Sequence, residues 1–285
     1  MNKIRVIRKK SSNMKTRLEI WLGYAMREPK IGLSTLHCLS QPFKKMTNKI
    51  LDARTNYIEV VDDGFHTLNK QRVLKLKEIS ESHNLKYSVH APFADINIAS
   101  PSKPMLNAML KRLEKSMAYA NALNASVWVF HPGLKTGVSM FYPSMDWLQN
   151  LKTTRLLLKK AEDYGVKIAI ENVPEPYPFL MKSVEDFAKF YEEINEEIGL
   201  AFDLGHANLN GQIDSFLTIF KDRIVHAHLH DNDGKADQHL GIGYGTINWD
   251  DVAKLFRKIR YNNILIVESV EHVEESMEKL SKLFL

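Results

Sequence analysis

Eight short apolar runs of strand length, separated mostly by segments of helix length, constrain this chain more than any other feature. The runs are 31–36 (IGLSTL), 56–61 (NYIEVV), 85–90 (LKYSVH), 126–131 (SVWVFH), 166–171 (VKIAIE), 198–203 (IGLAFD), 223–230 (RIVHAHLH) and 263–269 (NILIVES). Between them the apolar spacing shifts to a period of 3.6. It is clearest over 103–123, where Leu106, Met109, Leu110, Leu113, Met117 and Ala120 form one stripe, and recurs over 69–83, 146–164, 183–196, 248–260 and 272–284. Near-continuous apolar strands alternating with helices require a parallel sheet covered on both faces. A count of eight favours closure, so the chain is expected to form an α/β fold, a (β/α)8 TIM barrel, and 285 residues match the size of one such barrel. No Pro/Gly/Ser linker or shift of composition divides 30–285, which reads as a single barrel domain.

Residues 1–29 read as a short N-terminal extension, starting with Lys and Arg and no acid (MNKIRVIRKKSSNMKTR). Such a block could be an arm for nucleic acid or phosphate, but like-charge blocks are more often solvated tails, and that is the expectation. The 26% of charged residues and formal charge of +5 are ordinary for a soluble protein and give only a mild preference for anionic partners. The single cysteine, Cys38, excludes an internal disulfide. No apolar run approaches the length of a membrane span, so no membrane partner is expected and a cytoplasmic setting is the default.

The chemistry collects where strands end. His90, His131 and Glu171 close the third, fourth and fifth runs, and Asp203 with His206 just beyond closes the sixth. His228 lies on the seventh, with Asp237 and His239 after it, and Glu268 lies at the end of the eighth. In a barrel all these ends converge on one mouth. One carboxylate after a strand can be a helix cap, but six successive strands ending in His, Asp or Glu are not explained by capping. Imidazoles and carboxylates without thiolates suit Zn2+, Mn2+, Mg2+, Co2+ or Fe2+. Nine candidate ligands exceed what one ion takes, so the set implies two or three ions, or one ion with substrate-binding histidines. Asn172 could donate to a substrate oxygen, and Phe93 and Tyr142 are the aromatics expected to touch substrate. Gly133 and Gly205 permit close backbone approach. Trp21, Trp128, Trp147, Trp249 and His226 read as packing residues. Asp62, Asp63, Asp95, Asp231 and Asp233 are expected in mouth loops, where their charge would repel a DNA backbone.

The segments SVHAPFADINIASP, VFHPG, IAIENVP, LAFDLGHAN, HLHDNDGKADQHLGIGYGTINW and ILIVES resemble the xylose-isomerase-like TIM-barrel superfamily, which includes endonuclease IV and sugar isomerases and epimerases. The resemblance covers about residues 30–285. In the endonuclease IV branch it implies three zinc ions: His90, His131 and Glu171 on the first, Glu171, Asp203, His228 and Glu268 on the second, His206, Asp237 and His239 on the third. In the epimerase branch it implies one divalent ion, often manganese, on Glu171, Asp203, His228 and Glu268. There the two glutamates relay a proton across the substrate carbon and His206 contacts a substrate oxygen. Phe93, Leu204, Gly205, His230 and Gln238 stand where endonuclease IV usually has other residues, and His230 with Asp231 resembles the sugar phosphate isomerase/epimerase form. The leading expectation is therefore a metal-dependent isomerase or epimerase of a sugar or sugar phosphate. Its catalytic residues would be Glu171, Glu268 and His206, its substrate-binding residues Phe93, Asn172, His230 and Asp231, and its cofactor one to three Zn2+ or Mn2+ ions. The alternative is an endonuclease IV-like zinc phosphodiesterase acting on abasic DNA. A non-catalytic metal- or ligand-binding barrel is a remote third. The sequence leaves the oligomeric state open.

Overall fold

The structure, a computed structural model, describes residues 28–284. The N-terminal extension expected over 1–29, with Trp21, therefore lies almost wholly outside the described residues. Eight parallel strands form a closed barrel in chain order: β1 (Lys30–Ser34), β2 (Tyr57–Val61), β3 (Lys86–His90), β4 (Trp128–Phe130), β5 (Ile168–Glu171), β6 (Gly199–Asp203), β7 (Ile224–Leu229) and β8 (Ile264–Val267). The ring closes where β8 pairs with β1, Leu265 opposite Ile31. Each strand falls within or one residue outside its apolar run, so the expected barrel is the observed fold.

Outside the barrel lie α1 (Phe43–Asp52), α2 (Lys70–His83), α3 (Lys103–Ala122), α4 (Met145–Tyr164), α5 (Val184–Ile194), α6 (Leu204–Leu209), α7 (Ile213–Ile219), α8 (Trp249–Lys258) and α9 (Val273–Phe284). The stripe on α3 faces the sheet through Leu106, Met109, Leu113, Met117 and Ala120, while Leu110 is only half-buried. Trp128, Trp147 and Trp249 are core residues. Helix starts carry the chemistry that orphan N–H groups call for: Asn69 and Asn248 cap α2 and α8, and Ser183 forms a reciprocal box with Asp186 at the start of α5. Helix α1 has no counterpart in the sequence periodicity, because only Met46, Thr47 and Ile50 of its ten residues are buried. The link from β6 to β7 holds two short helices, α6 and α7, where the sequence shows no long period.

The barrel interior is divided in character. Val127, Val129, Ala169 and Ala201 form a small apolar cluster of their own. Glu59, Ser88, His226 and His228 are buried polar groups of β2, β3 and β7. Where a barrel usually packs branched apolar side chains, this one carries titratable groups.

Outside the interior, Asp62 follows β2 with no exposure and takes a bidentate pair from Arg112 of α3 at 2.7 and 2.9 Å. Its Oδ1 also accepts from the Leu68 N–H at 2.6 Å. Removing one partner leaves a buried charge uncompensated. Arg112→Met should cost about 3 kcal/mol in denaturant unfolding, and Asp62→Asn in that background should recover part of it.

Candidate metal centre

At the C-terminal ends of the strands the structure brings the strand-end residues into three adjoining groups, each with ligand atoms within 4.8 Å of one another. In the first, His90 Nε2 and His131 Nε2 lie 3.2 and 3.3 Å from Glu171 Oε2. In the second, His228 Nδ1 lies 3.1 Å from Glu171 Oε1, 3.5 Å from Glu268 Oε2 and 3.9 Å from Asp203 Oδ2. In the third, His206 Nε2 and His239 Nε2 each lie 3.4 Å from the carboxylate of Asp237, and His230 Nε2 lies 3.8 Å from it. Two donors on one tetrahedral zinc ion stand roughly 3.3 Å apart. Glu171 offers one oxygen to the first group and the other to the second, so the groups are contiguous.

The backs of the rings set what their fronts can do. His90 Nδ1 faces the Ala91 carbonyl at 2.9 Å, His206 Nδ1 the Asn172 carbonyl at 2.7 Å, and His239 Nδ1 the Glu268 carbonyl at 3.0 Å. A carbonyl oxygen only accepts, so each Nδ1 carries a proton. Each Nε2 then meets a carboxylate either as a bare lone pair, which repels it, or as a second N–H. A cation between them relieves the repulsion, and a proton does so in its place. Burial opposes charge on His90, but Glu171, with Glu268 and Glu59 behind it, outweighs burial and raises its pKa to about 9. His206 is raised to about 10 against burial by Asp203, Asp237 and Glu171, and His239 to about 9 against burial by Asp237. Burial also disfavours charge on Glu171, yet His228 and His131 hold it well below the usual carboxylate range. His131 is the exception among the rings: burial lowers its pKa, and Glu171 only partly offsets this.

Two carboxylate oxygens in the cluster, Asp203 Oδ2 and Asp237 Oδ1, are buried without a hydrogen-bond partner. A buried unpaired oxygen costs free energy unless a ligand meets it. Orphaned oxygens, imidazole donors aimed at carboxylates and donor spacing together fit divalent ions. The residues that could hold them are His90, His131, Glu171, Asp203, His206, His228, His230, Asp237, His239 and Glu268.

The structure gives several of the expected site residues partners that the sequence does not show. Asn172, expected to donate to substrate, has both ends of its amide on the main chain of Asp203 at 2.8 Å, so it positions that ligand. Asp231, also expected at substrate, is buried, and its carboxylate accepts from the N–H groups of Asn232, Gly243 and Ile247 and from Trp249 Nε1. It organises the loop that carries Asp237 and His239. His230, expected to contact substrate, lies in the third group. Its ring packs so close to Gly205 that a Cβ there would lie 2.1 Å from His230 Cε1, which is the close approach glycine permits. Phe93 lines the first group, its ring 5.5 Å from His90 and 5.6 Å from His131. Tyr142 is exposed on the loop after β4. The acids of the mouth repel anions less than their number implies. Asp62 is paired with Arg112, and Asp63 accepts from the N–H groups of Gly64, Phe93 and Ala94. Sequence reasoning missed Glu59, which makes a buried group with His226 and His228, so His226 is a hydrogen-bond partner of that carboxylate rather than only a packed ring. The available signal was one acid in the apolar run YIEVV.

A family model described as xylose isomerase-like TIM barrel matches residues 50–283. An uncharacterised protein of Methanocaldococcus jannaschii is 31% identical over 244 residues, 84% of this chain and 83% of that protein. A probable endonuclease 4 of Staphylococcus aureus is 27% identical over 221 residues, 71% of this chain and 73% of that protein. Among solved structures, a D-tagatose 3-epimerase-like protein superposes with a TM-score of 0.84 at 30% identity, covering 89% of this chain and 96% of that one. A D-psicose 3-epimerase from Clostridium cellulolyticum H10 gives 0.71 at 15% identity over 87% and 89% of the two chains, a likeness of fold alone.

Because folded-state pKa values of about 9 and 10 exceed the free value of 6.5, protons on His90, His239 and His206 stabilise the metal-free fold below about pH 6.5. That contribution is lost as pH rises through 9 to 10. The metal-free protein should therefore lose melting temperature between about pH 7 and 10 more steeply than zinc-loaded protein. Zinc uptake at about pH 7 should release more than one proton per chain, read by calorimetry in buffers of different ionisation enthalpy. Release of no protons would contradict these assignments.

Proposed function

The chain belongs to the xylose isomerase-like TIM-barrel family, and from that premise we propose that it is a divalent-metal-dependent isomerase or epimerase of a sugar or sugar phosphate. The observation that carries the proposal is the buried group of Glu171, Asp203, His228 and Glu268, in which two glutamates, from β5 and from the end of β8, converge on the Nδ1 of one imidazole. The structural likeness to a D-tagatose 3-epimerase-like protein supports the same reading.

These four residues would hold the ion that both branches of the family share, zinc or manganese, with the neighbouring groups able to take up to two more. A bound divalent ion would supply the positive charge that polarises a carbonyl/hydroxyl pair of the sugar. The rest follows from the chain's own groups. Glu171 is held as a carboxylate by His228 and His131 against the cost of burial, so it is ready to accept a proton from the substrate carbon. Glu268, which approaches the same His228 Nδ1, would return a proton to the opposite face of the substrate carbon. His206, its Nδ1–H donated to the Asn172 carbonyl, turns Nε2 toward the cavity to meet a substrate oxygen. Phe93 beside His90 and His131 offers an apolar wall for one face of the ring. A small sugar in a cytoplasmic setting is the expected substrate and place. Among the described residues no helix is long and apolar enough to cross a membrane.

A second reading has its own support. All nine positions implied by the trinuclear endonuclease IV pattern lie in the three groups, and the mouth acids that would repel DNA are largely tied up by Arg112 and by backbone amides. That reading is a zinc phosphodiesterase acting on abasic DNA.

The two separate in one assay set. Ketopentoses, ketohexoses and their phosphates incubated in deuterated water should gain deuterium at the epimerised carbon. Glu171→Gln and Glu268→Gln should each slow this by at least about 100-fold. No deuterium in any sugar, together with nicking of abasic duplex DNA that Glu171→Gln abolishes, would replace this proposal with the nuclease.

A further inference from the structure

Below the mouth, Glu59 of β2 reaches across the barrel interior to β7. Its Oε2 accepts from Ser88 Oγ at 3.0 Å and lies 2.7 Å from His226 Nε2. Its Oε1 lies 2.8 Å from His228 Nε2. Glu59, His226 and His228 are all buried, and neither Glu59 Oε1 nor His228 Nε2 has a hydrogen-bond partner: they approach each other to 2.8 Å without the alignment a hydrogen bond needs. Each is therefore the other's counterpart, and the pair sits where water does not reach.

His228 is mounted the opposite way from the other well-anchored rings. His90, His206 and His239 donate Nδ1–H to a carbonyl and turn Nε2 to the carboxylates. His228 turns Nδ1 to Glu171 and Glu268 and sends Nε2 inward. An imidazole offers a lone pair at Nδ1 only when its proton is on Nε2, and an ion-binding ring is usually held in that form by an acceptor behind it. Behind His228 Nε2 the group placed to act as acceptor is the Glu59 carboxylate, 2.8 Å away.

We propose that Glu59 is a positioning residue of the metal centre: it accepts the Nε2–H of His228, fixing the tautomer and ring orientation that leave Nδ1 free for an ion held with Glu171, Asp203 and Glu268. The proposal rests on the metal-dependent reading above. His226 and Ser88 complete the device, because both hold Oε2 and so aim Oε1 at His228. A carboxylate in this place differs from a carbonyl in carrying charge. Burial opposes that charge, but His228 and His226 outweigh it and keep Glu59 well below the usual carboxylate range. A negative group behind the ring also makes Nδ1 a stronger donor.

Co2+ is the probe, since its visible absorption reports both loading and coordination. Wild type, Glu59→Gln, which preserves volume, and Glu59→Ala are titrated after metal removal. Glu59→Gln should weaken Co2+ binding about tenfold and Glu59→Ala up to about 100-fold, with the number of ions at saturation unchanged. In metal-free wild type, nitrogen-15 spectra should show a slowly exchanging His228 Nε2–H, lost in Glu59→Ala. Equal Co2+ affinity in wild type and Glu59→Gln, or no protected Nε2–H in wild type, overturns the role of Glu59 and leaves the metal reading standing. Wild type that takes up no Co2+ overturns both.

Discussion

The mouth of this barrel depends on the compensation of buried negative charge. Glu171, Asp203 and Glu268 are withdrawn from water, with the half-buried Asp237 beside them and Glu59 beneath. Carboxylates in such a place ionise only if positive charge is within reach. The fold supplies it with imidazoles, and imidazoles alone are adjustable: each can hold a proton or yield its nitrogen to an ion. The same cluster is thus a proton store when metal-free and could serve as a ligand set for a divalent ion. The details around it serve that exchange. Backbone carbonyls behind three rings turn the titrating nitrogen forward, and Asn172 clamps the Asp203 main chain.

The barrel was readable because parallel strands buried on both faces become continuous apolar runs, and because each run stops at a polar residue. The ligands were readable for the same reason: a His, Asp or Glu at the end of such a run stands out. What could not be read is which polar side chains are already spoken for. Asp231 meets Gly243, Ile247 and Trp249 across a long loop, and Asn172 meets Asp203 on the next strand. Such partnerships have no periodicity, so both residues looked available to a substrate. The surroundings of His230 were hidden for a related reason. Its place in the third group depends on Gly205 letting the ring approach, a contact between separate strand ends. Helix α1 was invisible because three buried positions in ten residues make too faint a stripe.

Glu59 was the hardest residue to see and changes how the interior is understood. An acid in the middle of an apolar strand looks like a defect of patterning. In the structure it faces two histidines of the strand across the barrel, so the interior is part of the site rather than packing beneath it. The small apolar cluster of Val127, Val129, Ala169 and Ala201 fills part of the remaining interior.

The distribution of the cluster around the ring has a mechanical meaning. Its members come from β3 to β8 and the loops that follow them, and Glu59 adds β2, so nearly the whole circumference points at one place. An ion there can be gripped only by a closed cylinder, and any opening between strands pulls donors apart. An ion held there would act as a hoop: it would tie neighbouring strands together from inside and set itself against local opening anywhere along that arc. The seam between β1 and β8 has only Glu268 on one side and nothing from β1, so the hoop would be weakest where the first and last strands meet.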